Sequence, residues 1–115
     1  MVGLSSNPDR PSNEVAMYLL RAGYTIIPVN PNETEVLGHK SYPDLLSVPE
    51  PIDVVDIFRN PEAVPAIVEQ AIQKHAKVVW MQPGAENYDA ADRAEQAGLK
   101  TIVGMCMMAM HQMEM

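Results

Sequence analysis

The sequence predicts an α/β fold built on a mostly parallel sheet of about five strands. Three observations lead there. Short runs rich in β-branched residues recur along the chain, at Tyr24 to Val29, Ile52 to Phe58, Lys77 to Met81 and Lys100 to Val103. The segments between most of them repeat their apolar residues at helical spacing. Glycine, proline and asparagine mark most of the junctions. Strands alternating with helices make parallel βαβ units, and these need right-handed crossovers and helices on both sheet faces.

The first segment, Met1-Val2-Gly3-Leu4, reads as the last residues of a strand. A loop of turn formers follows, Ser5-Ser6-Asn7-Pro8-Asp9-Arg10-Pro11. Ser12 or Asn13 then caps a helix, and Glu14 sits in the first turn, where the macrodipole favours an anion. Val15, Tyr18, Leu19 and Ala22 give the helix its buried face, and Gly23 stops it. Tyr24 to Val29 is the second strand, with Pro28 near its C-terminal end because proline removes a ladder donor. Asn30-Pro31-Asn32 is a loop. Residues 33–48 give the weakest pattern and support at most short helical turns around Pro43-Asp44-Leu45-Leu46.

Ile52 to Phe58 is the third strand. Asn60 caps a helix with Pro61 at its first position, and Val64, Ile67, Val68, Ala71 and Ile72 form its apolar face. Lys77 to Met81 is the fourth strand. Asn87 to Ala97 is a helix ended by Gly98, and Lys100 to Val103 is the fifth strand. No internal repeat is visible. Residues 1–104 read as one domain and residues 105–115 as a methionine-rich tail packed on it.

Bulk properties narrow the function. The chain has 115 residues, 47% apolar and 20% charged, which suits one ordinary globular core. One cysteine, Cys106, allows no internal disulfide, so a reducing, cytoplasmic setting is expected. No secretory signal or membrane-spanning run is seen. A net charge of −7 argues against general binding to nucleic acid or anionic membranes.

Ligands of open parallel sheets bind beyond the C-terminal strand ends. The five loops at those ends hold Gly3 to Ser12, Asn30-Pro31, Arg59-Asn60, Gln82-Pro83-Gly84 and the segment after Val103, and two of them carry arginine. The first loop leads into a helix N-terminus, whose free N–H groups and dipole attract anions. Arg10 adds a guanidinium suited to phosphate. The loop lacks both GxGxxG and the P-loop pattern, since Gly3 is its only glycine. It therefore departs from common dinucleotide and nucleotide-hydrolysis motifs.

The segment Gly3-Leu4-Ser5-Ser6-Asn7-Pro8-Asp9-Arg10-Pro11-Ser12 resembles the first loop of small stand-alone CoA-binding proteins. These are similar to the CoA-binding domain of the succinyl-CoA synthetase α-subunit. Ile27-Pro28-Val29-Asn30-Pro31, Val55-Asp56-Ile57-Phe58-Arg59 and Val79-Trp80-Met81-Gln82-Pro83-Gly84 continue the match in order. The resemblance implies a Rossmann-like three-layer fold with strand order 3-2-1-4-5 and coenzyme A as ligand. It places Gly3, Ser5, Ser6, Asn7, Arg10 and Ser12 at the phosphates and Asn30 and Pro31 near the nucleotide. Phe58, Arg59, Gln82 and Gly84 then line the rest of the cleft. Relatives carry a fuller first strand, so the first strand here is expected to be truncated.

Other candidate chemistry is weaker. Asp53 and Asp56 fall on opposite faces of a strand, which disfavours a carboxylate pair, and Asp56 is expected to bond nearby backbone. His39, His75 and His111 show no metal-ligand spacing, and Cys106 among methionines forms no recurring ligand pattern. Trp80 and Tyr42 read as core or cleft wall. The leading expectation is non-catalytic binding of CoA or acyl-CoA. The alternatives are a fragment of an NAD(P)-dependent oxidoreductase, and a regulatory subunit bound to a CoA-using enzyme or to itself. Asn30-Pro31 stands where an NAD site would place an acidic residue. The truncated first strand predicts that an added upstream apolar strand raises the melting temperature, and an unchanged thermal transition counts against it.

Overall fold

The computed structural model describes residues 1–113. Helix α1 spans Pro11–Arg21. Pro11 takes its first position, where a missing N–H costs nothing. The helix therefore starts before the expected Ser12 or Asn13 cap, and Arg10 occupies the N-cap without a side-chain bond. At the other end Gly23 adopts φ +95°, and Tyr24 N–H donates to Leu19 O at 3.0 Å.

A two-stranded antiparallel hairpin follows, β1 (Glu35–Val36) and β2 (His39–Lys40). It lies ahead of Pro43 to Leu46, where short helical turns were expected and the chain instead forms bends and a turn. Leu37 and Gly38 both have positive φ, as a two-residue turn between twisted strands requires. A leucine at such a position gives no turn signal, which is why the pattern hid it.

The regular sheet has three parallel strands, β3 (Val54–Ile57), β4 (Val78–Met81) and β5 (Lys100–Val103), in the order β3-β4-β5. Single parallel bridges extend it, from Ile57 to Val2, from Val2 to Val29 and from Val29 to Tyr42. The expected five-strand order 3-2-1-4-5 is thus not found. That order put Ile52 to Phe58 on the outer edge, whereas this segment lies beside Val2. Tyr42, from the stretch read as irregular, lies on the outer side of Val29 instead. The Tyr24 to Val29 segment joins the ladder only near its end.

Helices cover both faces. Pro61–Ala63 forms a 3-10 turn that leads into α2 (Val64–Gln73), and α3 spans Tyr88–Gln96. Asn87 caps α3, its Oδ1 accepting from Ala90 N–H at 3.0 Å. Val64, Val68, Ala71, Ala90 and Ala94 pack with Val55, Ile57, Val79 and Met81 in one core cluster. On the other face Leu4, Val15, Ala16 and Leu19 form a second cluster. The segment expected as a tail adds to that cluster through Cys106, Met107 and Met108, and its helix α4 (Met107–Met113) packs against α1. Each fully buried valine or leucine contributes about 1.5–3 kcal/mol.

Gly3 adopts φ +88°, and a Cβ there would lie 2.3 Å from Phe58 O. Both the conformation and the space therefore demand glycine. Gly3→Ala is expected to cost at least about 1–3 kcal/mol and to lower the melting temperature measured by circular dichroism.

Candidate functional site

A cleft of about 720 Å³ opens at the C-terminal ends of the strands. Its walls include Gly3, Ser5, Arg10, Ser12, Asn30, Phe58, Arg59, Gln82 and Gly84. Loops remote in sequence thus meet at one place, as parallel-sheet geometry requires. Ser6 and Asn7 do not line it; they lie on the exposed outer side of the first loop. Pro31 lines a separate, smaller depression of about 170 Å³, with Val2 and Arg59. The cleft also takes in Asn32, Glu33, Asn60, Ala85 and Cys106, which sequence reasoning did not assign to a ligand site. The signal for Asn32 and Asn60 was their place in strand-end loops. Cys106 carried the same signal, since it follows β5 in the last strand-end loop, but the methionines around it read as a tail packed on the domain and not as cleft wall.

The first loop is held by its own side chains. Ser5 N–H donates to Ser12 Oγ at 3.1 Å, and Asn13 Nδ2 donates to Ser5 O at 2.9 Å. Asn7 N–H donates to Ser5 Oγ, and Asp9 N–H to Asn7 Oδ1. Ser12 and Asn13 are buried, so these bonds fix the loop against α1. Asn30 does similar work between loops. Its Nδ2 donates to Leu4 O at 3.0 Å, and its Oδ1 accepts from Asn32 N–H at 2.9 Å.

Arg10 and Arg59 stand at the cleft from two different strand ends, and both are exposed. Among the described residues neither enters an ion pair; the recorded pairs are Lys77–Asp53 and Arg93–Glu69. Two guanidinium groups, an exposed loop and a helix N-terminus facing one cleft suit an anionic ligand. The acidic groups nearby are Glu33 in the wall and Glu86, whose Oε1 accepts from Gly84 N–H at 2.8 Å.

Behind the cleft lies a buried polar pair. Asp56 is 3% exposed and Gln82 is 2% exposed. Gln82 Nε2 donates to Asp56 Oδ1 at 2.7 Å, while Asp56 Oδ2 has no hydrogen-bond partner. Asp56 therefore bonds a side chain of the neighbouring strand, where nearby backbone was expected. Burial pushes its carboxyl up to about 6, against the opposing pull of the Gln82 hydrogen bond and the Met1 ammonium. Burial likewise lowers the Met1 ammonium to about 6, with the Asp56 charge acting against that. Trp80 is half-buried, and its Nε1 donates to Met105 O at 2.6 Å. Tyr42 lies under Lys40, whose Nζ is 5.2 Å from the ring centre.

Comparison with known proteins assigns the family. Residues 1–112 match the model of a CoA-binding domain. The chain belongs to that CoA-binding domain family. This CoA-binding domain is 39% identical over 111 residues to YneT of Bacillus subtilis, covering 96% of the chain and 82% of YneT. It is 30% identical over 79 residues to acetate–CoA ligase (ADP-forming) II of Archaeoglobus fulgidus, covering 67% of the chain but only 12% of the ligase. Among solved structures, a hypothetical protein from Pyrococcus horikoshii matches with a TM-score of 0.96 and 47% identity, over 97% of the chain and 79% of that protein. A protein from Thermus thermophilus matches with a TM-score of 0.94 and 29% identity, over 99% of the chain and 87% of its own.

The Asp56 carboxyl yields a pH test. A raised acid pKa means the folded state holds the proton more tightly than the unfolded chain. The associated stability is present below the usual value of 3.8 and is lost as pH rises through about 6. Asp56→Asn is expected to leave stability near pH 4 almost unchanged. At pH 8 it raises stability by on the order of 1–3 kcal/mol. Urea unfolding at the two pH values measures the difference; an equal effect at both contradicts the assignment.

Proposed function

We propose that this domain binds coenzyme A or an acyl-CoA at the strand-end cleft, without catalysing a reaction on it. The observation that carries the reading is the convergence of Arg10 and Arg59 on one cleft beside the N-terminus of α1. A pyrophosphate is the natural partner for two guanidinium groups and a helix end. The cleft volume also falls within the range of ordinary small-molecule sites.

The roles divide by position. Arg10, Ser5 and the start of α1 meet the phosphates from one side, and Arg59 meets them from the other. Gly3 allows the first loop to approach the exit of β3, so its part is to shape the cleft. Asn30 holds the loops together rather than reading the nucleotide, because both ends of its amide bond protein groups. Phe58 is half-buried and gives an apolar wall, and Gly84 gives the turn after β4, with φ +96°. Ser6 and Asn7 act through the loop rather than by lining the cleft. The relation to an acetate–CoA ligase supports CoA as the ligand class. The ligase's reaction is not carried over, since the match spans so little of that protein.

Isothermal titration with CoA tests the reading. Saturable heat at micromolar to sub-millimolar ligand is expected, and NAD is expected not to compete. Arg10→Ala and Arg59→Ala each remove a charge-assisted contact of about 1.5–3 kcal/mol. Each therefore weakens binding roughly 10- to 150-fold. Absence of saturation at millimolar CoA, or equal competition by NAD, overturns the proposal.

A further inference from the structure

Side chains alternate across a strand, so Trp80 and Gln82, two residues apart at the end of β4, project from one face of the sheet. The alternate residues Val79 and Met81 pack with α2 and α3 on the opposite face. Asp56 pairs in register with Trp80 across the β3–β4 ladder and shares its face. The segment Met105 to Met107 crosses that face and is fastened twice. Trp80 Nε1 donates to Met105 O at 2.6 Å, and Met107 N–H donates to Gln82 Oε1 at 3.4 Å. Cys106, between the two fasteners, lines the cleft, as does Gln82 itself. This short strap is therefore both a wall of the cleft and the lead into α4.

The second fastener depends on which way the Gln82 amide points. A glutamine amide has a donor end and an acceptor end. Only with its NH2 toward Asp56 does its carbonyl face the Met107 N–H. A carboxylate accepts and a backbone N–H donates, so the two partners impose the same orientation. Asp56 makes no other side-chain hydrogen bond among the described residues.

We infer that Asp56 is a positioning residue, holding the Gln82 amide so that its carbonyl pins the Met105–Met107 strap against the cleft, and that ligand binding in the cleft is linked to this pinning. The linkage rests on the CoA reading proposed above; the pinning does not. A ligand that touches Cys106 and Gln82 in the docked arrangement binds that arrangement better than one with the strap loose. It shifts the population toward docking, and docking in turn raises affinity by the same factor. The Met107 bond, at 3.4 Å, lies beyond the usual N–H···O range and has room to shorten when the strap is pressed down.

The chain has one tryptophan, and its indole holds the strap, so the protein carries its own reporter. The experiment combines Trp80 emission, amide hydrogen exchange and calorimetry on the wild type, Asp56→Asn and Asp56→Leu. Without ligand, the Met107 and Met110 amides are expected to exchange at least tenfold faster in Asp56→Leu. Asp56→Asn keeps an acceptor and restores the wild-type rate. With CoA, wild-type Trp80 emission shifts with the midpoint found by calorimetry. Asp56→Leu loses most of that shift and binds roughly 5- to 20-fold more weakly. Gln82→Met, which removes both amide ends at similar volume, reproduces the ligand-free exchange of Asp56→Leu and keeps the pinning test valid if the leucine variant does not fold. Wild-type exchange in both Asp56→Leu and Gln82→Met overturns the pinning. Unchanged affinity and unchanged Trp80 response in variants with a loosened strap overturn the linkage. If the wild type binds no CoA, the functional reading fails and the linkage with it, while the ligand-free exchange rates still decide the pinning.

Discussion

The backbone of Met1 to Gly3 joins the two halves of this molecule. Val2 N–H donates to Asp56 O at 2.8 Å, and Phe58 N–H donates to Val2 O at 2.9 Å. On the other side Gly3 N–H donates to Val29 O at 2.8 Å, and Val29 N–H to Met1 O at 3.0 Å. These bonds run to both neighbours at once, so three residues fix the spacing of the loops that leave Leu4, Val29 and Ile57. Interior backbone groups must be paired, and here the pairing itself sets the width of the cleft.

The same constraint explains the division of labour among the cleft residues. Gly3 lies where the first loop crosses the exit of β3, and no side chain fits between them. Asn30 is spent on a bond between loops, and Ser12 and Asn13 on bonds that tie the first loop to α1. On the CoA reading proposed above, the charged groups that face the ligand are the long exposed ones, Arg10 and Arg59, mounted on loops that the shorter polar residues hold still. Such an arrangement orders the scaffold before binding and spends less ligand affinity on ordering it.

Asp56 shows a second tension in the design. A carboxyl 3% exposed with one unpartnered oxygen is costly. Its partner Gln82 is also buried and reaches both the cleft and the start of α4. A buried polar pair is weak evidence for stability and better evidence for a fixed geometry. The two core clusters already supply apolar packing on both sheet faces, so the pair adds orientation where valine would add only contact.

Much of this was readable in the amino-acid order. Helices α2 and α3, strands β3, β4 and β5, and the glycine that ends α1 follow from periodicity and capping within a few residues. Gathering of the strand-end loops followed from parallel topology, and most of the chosen residues do line one cleft. Folding alone decided the rest. The position of Ile52 to Phe58 beside Val2, the burial of Asp56 and the contact of Cys106 with the cleft all depend on partners distant in sequence, while the local hairpin at Leu37-Gly38 was hidden by a leucine in a turn position. Local patterns carry propensity and spacing, but which edge a strand joins, and which side chain loses its water, is set by contacts that exist only once the sheet has closed around Val2.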